Sequence, residues 1–91
     1  MNIYKDIKNV ILNILYQNFN DLDSRLESKI TCEQPKNIKF GDISSNVILV
    51  VSKILSLEKK RISEVLIKSL LKNKSISKAE FLEPGFLNLK L

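Results

Sequence analysis

Apolar residues in the first part of the chain fall at Ile3, Ile7, Val10, Ile11, Ile14, Leu15 and Phe19. That spacing keeps returning to one side of an α-helix, so an amphipathic helix is predicted over residues 3–19. Asn2 stands at its N-cap position, and Asn18 and Asn20-Asp21 mark its exit. Residues 21–27 are ambiguous: Leu22 and Leu26 either extend the helix or close it with a short turn. From Ser28 to Glu33 the pattern changes to alternation, with Ile30 and Cys32 on one side and Lys29, Thr31 and Glu33 on the other. This predicts a short strand. Gln34-Pro35-Lys36-Asn37 ends it, and Gly41-Asp42 marks a second break.

From Ile43 to Leu57 the chain is densely apolar. Its β-branched content suits a buried strand, but the run is longer than ordinary strands and is therefore predicted as helix. Asp42, Ser44 or Ser45 supplies the cap. With so little polar face, this helix is expected to be the central one. A second amphipathic helix is predicted over 59–72, with Ile62, Val65, Leu66, Ser69 and Leu70 on one face. Lys68 and Lys72 sit in its last turns, where the helix dipole favours cations, and Asn73 stops it.

Residues 76–82 and 86–91 read as strands joined at Glu83-Pro84-Gly85. In the last strand Leu87, Leu89 and Leu91 share one face, and Phe86, Asn88 and Lys90 share the other. A two-residue Pro-Gly loop would place Lys78 and Glu80 beside the leucines. A three-residue loop instead pairs Leu82 with Phe86 and puts Ala79 and Phe81 with Leu87 and Leu89. It leaves Gly85 free for positive φ and sends Lys78 and Glu80 to the side of Asn88 and Lys90. Burial favours this second register. The order helix, strand, helix, helix, strand, strand predicts an α+β fold, a small antiparallel sheet with helices packed on one face.

Composition narrows the function. A chain of 91 residues is one domain with a modest core. Thirteen Lys and two Arg against ten acidic residues give a formal charge of +5. Such an excess favours a polyanionic partner or serves solubility alone. Lysine over arginine points to diffuse phosphate contact. Cys32 is the one cysteine and histidine is absent, which removes disulfides, the common metal sites and the common nucleophile–base pairs. A lone cysteine fits a reducing, cytoplasmic compartment, where Cys32 is read as a small buried residue. No stretch has the form of a membrane span or signal peptide, so no membrane partner is expected. The outer face of the last strand then stands out. A ring, an amide and a cation in a row suit a nucleobase and its phosphate by stacking, hydrogen bonding and neutralisation.

Two local patterns carry a resemblance. One runs from Pro35 through Gly41-Asp42 to Asn46 and into the apolar helix. The other is Pro84-Gly85-Phe86-Leu87-Asn88. In this order, and over essentially the whole chain, they resemble the N-terminal additional domain of arginyl-tRNA synthetases. The departures are Ile48, Lys59 or Lys60, and Ser63, where the family often has a small residue, a proline and an alanine. These touch helix packing and capping. The resemblance implies that the domain contacts the D-loop corner of the tRNA, with Phe86 and Asn88 at the base-reading position. Lys90 and Lys78 are the phosphate candidates, and Lys36 and Lys39 secondary ones. Glu80 and Glu83 oppose a continuous basic stripe. Pro35, Gly41, Asp42, Asn46, Pro84 and Gly85 are structural: for Gly41, Asp42 and Asn46, a loop turn, a helix cap and a side-chain link to loop backbone.

No catalytic residue, metal ligand or cofactor is expected within residues 1–91. The resemblance implies a longer parent chain whose catalytic domain joins arginine to its tRNA using ATP and magnesium. The competing reading is a protein-interaction module whose sheet face docks on another domain, with a free strand edge open to later residues.

Overall fold

A computed structural model of the chain describes residues 2–91. Helix α1 spans Ile3–Asn18 and is capped as its sequence predicts, with the backbone N–H groups of Tyr4 and Lys5 donating to Asn2 Oδ1. Its face at Ile7, Ile11, Ile14 and Leu15 is buried. The ambiguous stretch closes as a short 3-10 turn at Ser24–Ser28, capped by Asp23, and carries Leu26 into the core. The predicted strand over 28–33 shrinks to β1, Cys32–Glu33, because that turn consumes Ser28 and the chain re-extends only after Ile30.

The apolar run from Ile43 is two elements rather than one helix. Ile43–Ser45 is strand β2, and helix α2 begins at Val47 and ends at Leu55. Asn46 divides them. Its Oδ1 accepts the Thr31 N–H (2.8 Å) and its Nδ2 donates to the Lys29 carbonyl (3.0 Å), so it bridges to the segment before β1. The first-turn cap comes from Ser45, whose Oγ accepts the Val47 N–H at 3.2 Å. Asp42 is not a helix cap: its carboxylate accepts the Leu91 N–H at 2.8 Å. Two side-chain hydrogen bonds concentrated on one residue make Asn46→Ala costly. We expect it to lower unfolding free energy by about 1–3 kcal/mol in urea denaturation, because both links to the segment before β1 are lost.

Helix α3 spans Lys59–Leu70 and packs against both α1 and α2, so it, rather than α2, is the central helix. Its one strongly apolar face, at Ile62, Leu66 and Leu70, is wholly buried, whereas α2 leaves Ile54 exposed. Ser63, at a position where the related pattern favours alanine, is buried and donates its hydroxyl to the Lys60 carbonyl.

Strands β3, Lys78–Leu82, and β4, Phe86–Lys90, form a hairpin in the three-residue register, with Leu82 opposite Phe86, Glu80 opposite Asn88 and Lys78 opposite Lys90. The Glu83–Pro84 bond in the turn is cis. Among the described residues the sheet is antiparallel in the order β1-β2-β4-β3. Strand β4 is therefore interior. The edge that the sequence left open is taken by β2, with Ser44 opposite Asn88. The helices cover the face carrying Ile43, Leu87 and Leu89, all buried, with Ala79 and Phe81 packed alongside. Each such aliphatic side chain contributes about 1.5–3 kcal/mol through burial.

Two glycines hold the sheet to its surroundings. Gly85 (φ +156°) comes so near α2 that a Cβ there would lie 2.7 Å from Leu49 Cβ, and its carbonyl accepts the Leu49 N–H at 2.9 Å. Gly41 (φ +106°) comes equally near β4, where a Cβ would lie 2.5 Å from the Leu89 carbonyl oxygen. Both need a residue without a side chain.

Candidate nucleic-acid interface

The strand registers place Glu33, Ser44, Asn88 and Glu80 in one row across the face of the sheet away from the core. Phe86 and Leu82 lie at one side of this row, and Lys90 and Lys78 at the other. The sequence-predicted group on β4 and β3 is thus brought together on one face.

Asn88 lies on the outer face of β4, as its place in the strand predicts, and is buried there, at 6% exposure. The cause is the central place of β4: strands flank Asn88 on both sides, and a 3-10 turn at Ile38–Phe40 lies against the same strand. Asn88 Oδ1 is buried with no hydrogen-bond partner. An unsatisfied buried acceptor of this kind costs about 1–3 kcal/mol.

Asn88 also lines two hollows. The larger, a groove of about 590 Å³, is bounded by Phe40, Phe86, Pro35, Lys36 and Ser44. Both rings reach solvent, Phe40 at 49% exposure and Phe86 at 36%. The smaller, about 120 Å³, is bounded by Phe40, Lys39, Lys78, Glu80 and Lys90. A groove with two accessible rings beside an unpaired amide has the parts needed to take an unstacked base: aromatic surface worth about 1–3 kcal/mol per stacked base, and a polar group for a base edge.

Phe40 was not singled out by the sequence. The structure explains its placement through its neighbours. The Asp42 N–H donates to the Leu89 carbonyl (2.8 Å), the Asp42 carboxylate holds the Leu91 N–H, and Gly41 allows the close approach. Gly41-Asp42 thus clips the turn onto β4 and fixes Phe40 beside Asn88. The signal was present as a Phe directly before a Gly-Asp break.

The predicted cations are not equivalent. Lys78 Nζ is 2.8 Å from the Glu80 carboxylate on the same strand, so it is an engaged group rather than a free one. The hydrogen bond to Glu80 holds the Lys78 ammonium above its ordinary pKa range. Lys90 and Lys39 make no ion pair among the described residues. Lys36 lies on the groove, apart from the other three.

Pro35 lines the groove, while Pro84 belongs to the β3–β4 turn. Cys32 is half-buried, and burial pushes its thiol pKa up, the opposite of an activated nucleophile. Among the described residues no cluster of Cys, Asp and Glu side chains is suited to a metal ion, and no helix is long and apolar enough to cross a membrane.

Residues 2–91 match the model of the family described as arginyl tRNA synthetase N terminal domain. The arginine–tRNA ligase of Ruegeria sp. (strain TM1040) is 32% identical over 94 aligned positions, which take in 100% of this chain and 16% of that protein. The arginine–tRNA ligase of Agrobacterium fabrum is 31% identical over 97 positions, again 100% of this chain and 16% of the relative. That of Mycoplasmoides gallisepticum is 36% identical over 89 positions, or 98% of this chain and 15% of the relative. The chain thus spans about 16% of the length of such relatives. On the family match over almost its full length, the chain belongs to the arginyl-tRNA synthetase N-terminal domain family.

Proposed function

We propose that this domain holds tRNA for an arginine–tRNA ligase, and that the outer face of β4 meets the D-loop corner of that tRNA. The supporting observation is Asn88, an unpaired buried acceptor on a groove that also exposes Phe86 and Phe40. In this reading one ring stacks on a base that the loop turns outward, and the amide pairs with its edge. Binding by shape and stacking suits a loop, whose bases are free of a duplex.

The name carried by the relatives gives the proposed reaction of the whole protein, attachment of arginine to its tRNA, and the cytoplasm is its proposed place. That chemistry draws on ATP and magnesium and belongs to a catalytic domain of the same chain. Residues 2–91 contribute positioning. A group that only positions the tRNA affects how well it binds more than how fast bound tRNA reacts. In the full ligase, Asn88→Ala is therefore expected to raise KM for tRNA by roughly five- to tenfold, as for the loss of one buried hydrogen bond, with kcat nearly unchanged. An unchanged KM in steady-state aminoacylation would remove the base-reading role.

A docking role for a different surface has its own support. Ile3, Ile38 and Leu91 are exposed and border one hollow with Tyr4 and Ile43. This apolar patch suits contact with the catalytic domain of the same chain and leaves the groove to the tRNA.

A further inference from the structure

The two hollows beside Asn88 differ in charge as well as size. Around the groove one lysine, Lys36, accompanies two carboxylates, Glu33 and Glu83. Around the smaller pocket three lysines, Lys39, Lys78 and Lys90, accompany one carboxylate, Glu80. Positive charge is therefore concentrated on the side of Asn88 away from Phe86. The three lysines come from three elements: the 3-10 turn, β3 and β4.

This concentration is unfavourable in the free domain. Lys78 and Lys90 are directly opposite in the β3–β4 register, and like charges so placed repel. Glu80 relieves Lys78, at 2.8 Å, but among the described residues nothing pairs with Lys90 or Lys39. The clip made by Gly41 and Asp42 holds the Lys39 backbone against β4 despite this repulsion. An anion in the pocket would turn the repulsion into attraction.

We propose that the Lys39–Lys78–Lys90 pocket is a phosphate subsite, which takes a backbone phosphodiester of the RNA whose base occupies the groove. The proposal rests on the tRNA-binding reading for the origin of the phosphate. Phe40 and Asn88, which border both hollows, then mark the boundary between base and phosphate. Lys39 and Lys90 are the principal contacts. Lys78 contributes less, because Glu80 competes with the phosphate for its ammonium. Glu80 is thus a restraint on the site.

The test is binding of the chain to an arginine-acceptor tRNA transcript across a salt series. Each lost phosphate contact should reduce the slope of log K against log salt by about 0.7–0.9. Lys39→Gln and Lys90→Gln are each expected to reduce the slope by this amount. Glu80→Gln is expected to tighten binding severalfold, since it removes a competing carboxylate and frees Lys78. Asn88→Ala should weaken binding with the slope unchanged. A Lys39→Gln/Lys90→Gln double variant that keeps the parental slope, or a Glu80→Gln variant that binds more weakly while remaining folded, would overturn the subsite.

A second arm uses inorganic phosphate alone, followed by the backbone amide signals of the chain. Shifts confined to residues 39–41, 78–80 and 88–90, with the inorganic phosphate released when tRNA is added, support the proposal. Phosphate that binds there but is not displaced by tRNA would overturn the assignment to the RNA backbone. Absence of any localised shift would overturn the pocket itself. Failure of the chain and the full ligase alike to bind tRNA, with phosphate still bound at these amides, would sink the tRNA reading and spare only an anion site.

Discussion

Gly41→Ala is expected to lower the unfolding free energy of the domain by about 3 kcal/mol, the sum of backbone strain and overpacking. At this position φ is +106°, a conformation that alanine adopts only under strain. The added Cβ would also lie 2.5 Å from the Leu89 carbonyl oxygen. That oxygen is backbone and already accepts the Asp42 N–H at 2.8 Å, so it cannot move without loosening β4 from the turn. For a domain of this size such a loss is a large part of its stability. The functional consequence is separate. The 3-10 turn carries Lys39 and Phe40, and Gly41 and Asp42 are the residues that pin it beside Asn88. We therefore expect weaker tRNA binding even under conditions where the variant remains folded. Urea denaturation followed by tRNA titration at low temperature measures the two effects. A variant with parental stability would show that the close approach at Gly41 is easily relieved.

The fold was legible where local pattern and local structure coincide. The spacing of Ile7, Ile11, Ile14 and Leu15 gave α1, and that of Ile62, Leu66 and Leu70 gave α3, because each follows a single buried face over several turns. The hairpin register was legible because only one alignment buries Ala79 and Phe81 with the leucines. Strand β2 was not. It is three residues long and runs into a helix that is equally apolar, so no change of period announces the boundary. The residue that makes the break, Asn46, does so through contacts to Lys29 and Thr31, far away in sequence.

Missing β2 had a further effect at the site. Alternation places Asn88 on the outer face of the last strand but does not show that β2 flanks it. Pairing with Ser44 on one side and Glu80 on the other buries it. Alternation along a strand tells which face a side chain takes, but its burial depends on the neighbouring strands and loops. The same holds for Phe40, which is exposed yet positioned, and for Lys78, whose partner Glu80 lies two residues away on the same face. Phe86, Asn88 and Lys90 were found together because one strand carries all three.

Burial of Asn88 separates a binding residue from a packing residue. A buried amide kept for stability has its hydrogen bonds made within the protein, and its replacement destabilises the fold. Asn88 Oδ1 has no such partner. Leucine has the same branched side-chain skeleton, with bulkier methyl ends, and no polar atom to satisfy. Asn88→Leu is therefore expected to leave the domain as stable as the parent or more stable by about 1 kcal/mol, since it removes an unsatisfied buried acceptor. The same change takes away the group that reads the base edge and should weaken tRNA binding by about tenfold, or roughly 1.4 kcal/mol. Stability and affinity then move in opposite directions, which damage to the fold does not produce.

The most direct measurement is the affinity of folded Asn88→Leu for arginine-acceptor tRNA, with its urea midpoint recorded alongside. An unchanged or raised midpoint with affinity reduced about tenfold is the predicted result. A lowered midpoint with parental affinity would mean that Asn88 serves the sheet and not the tRNA.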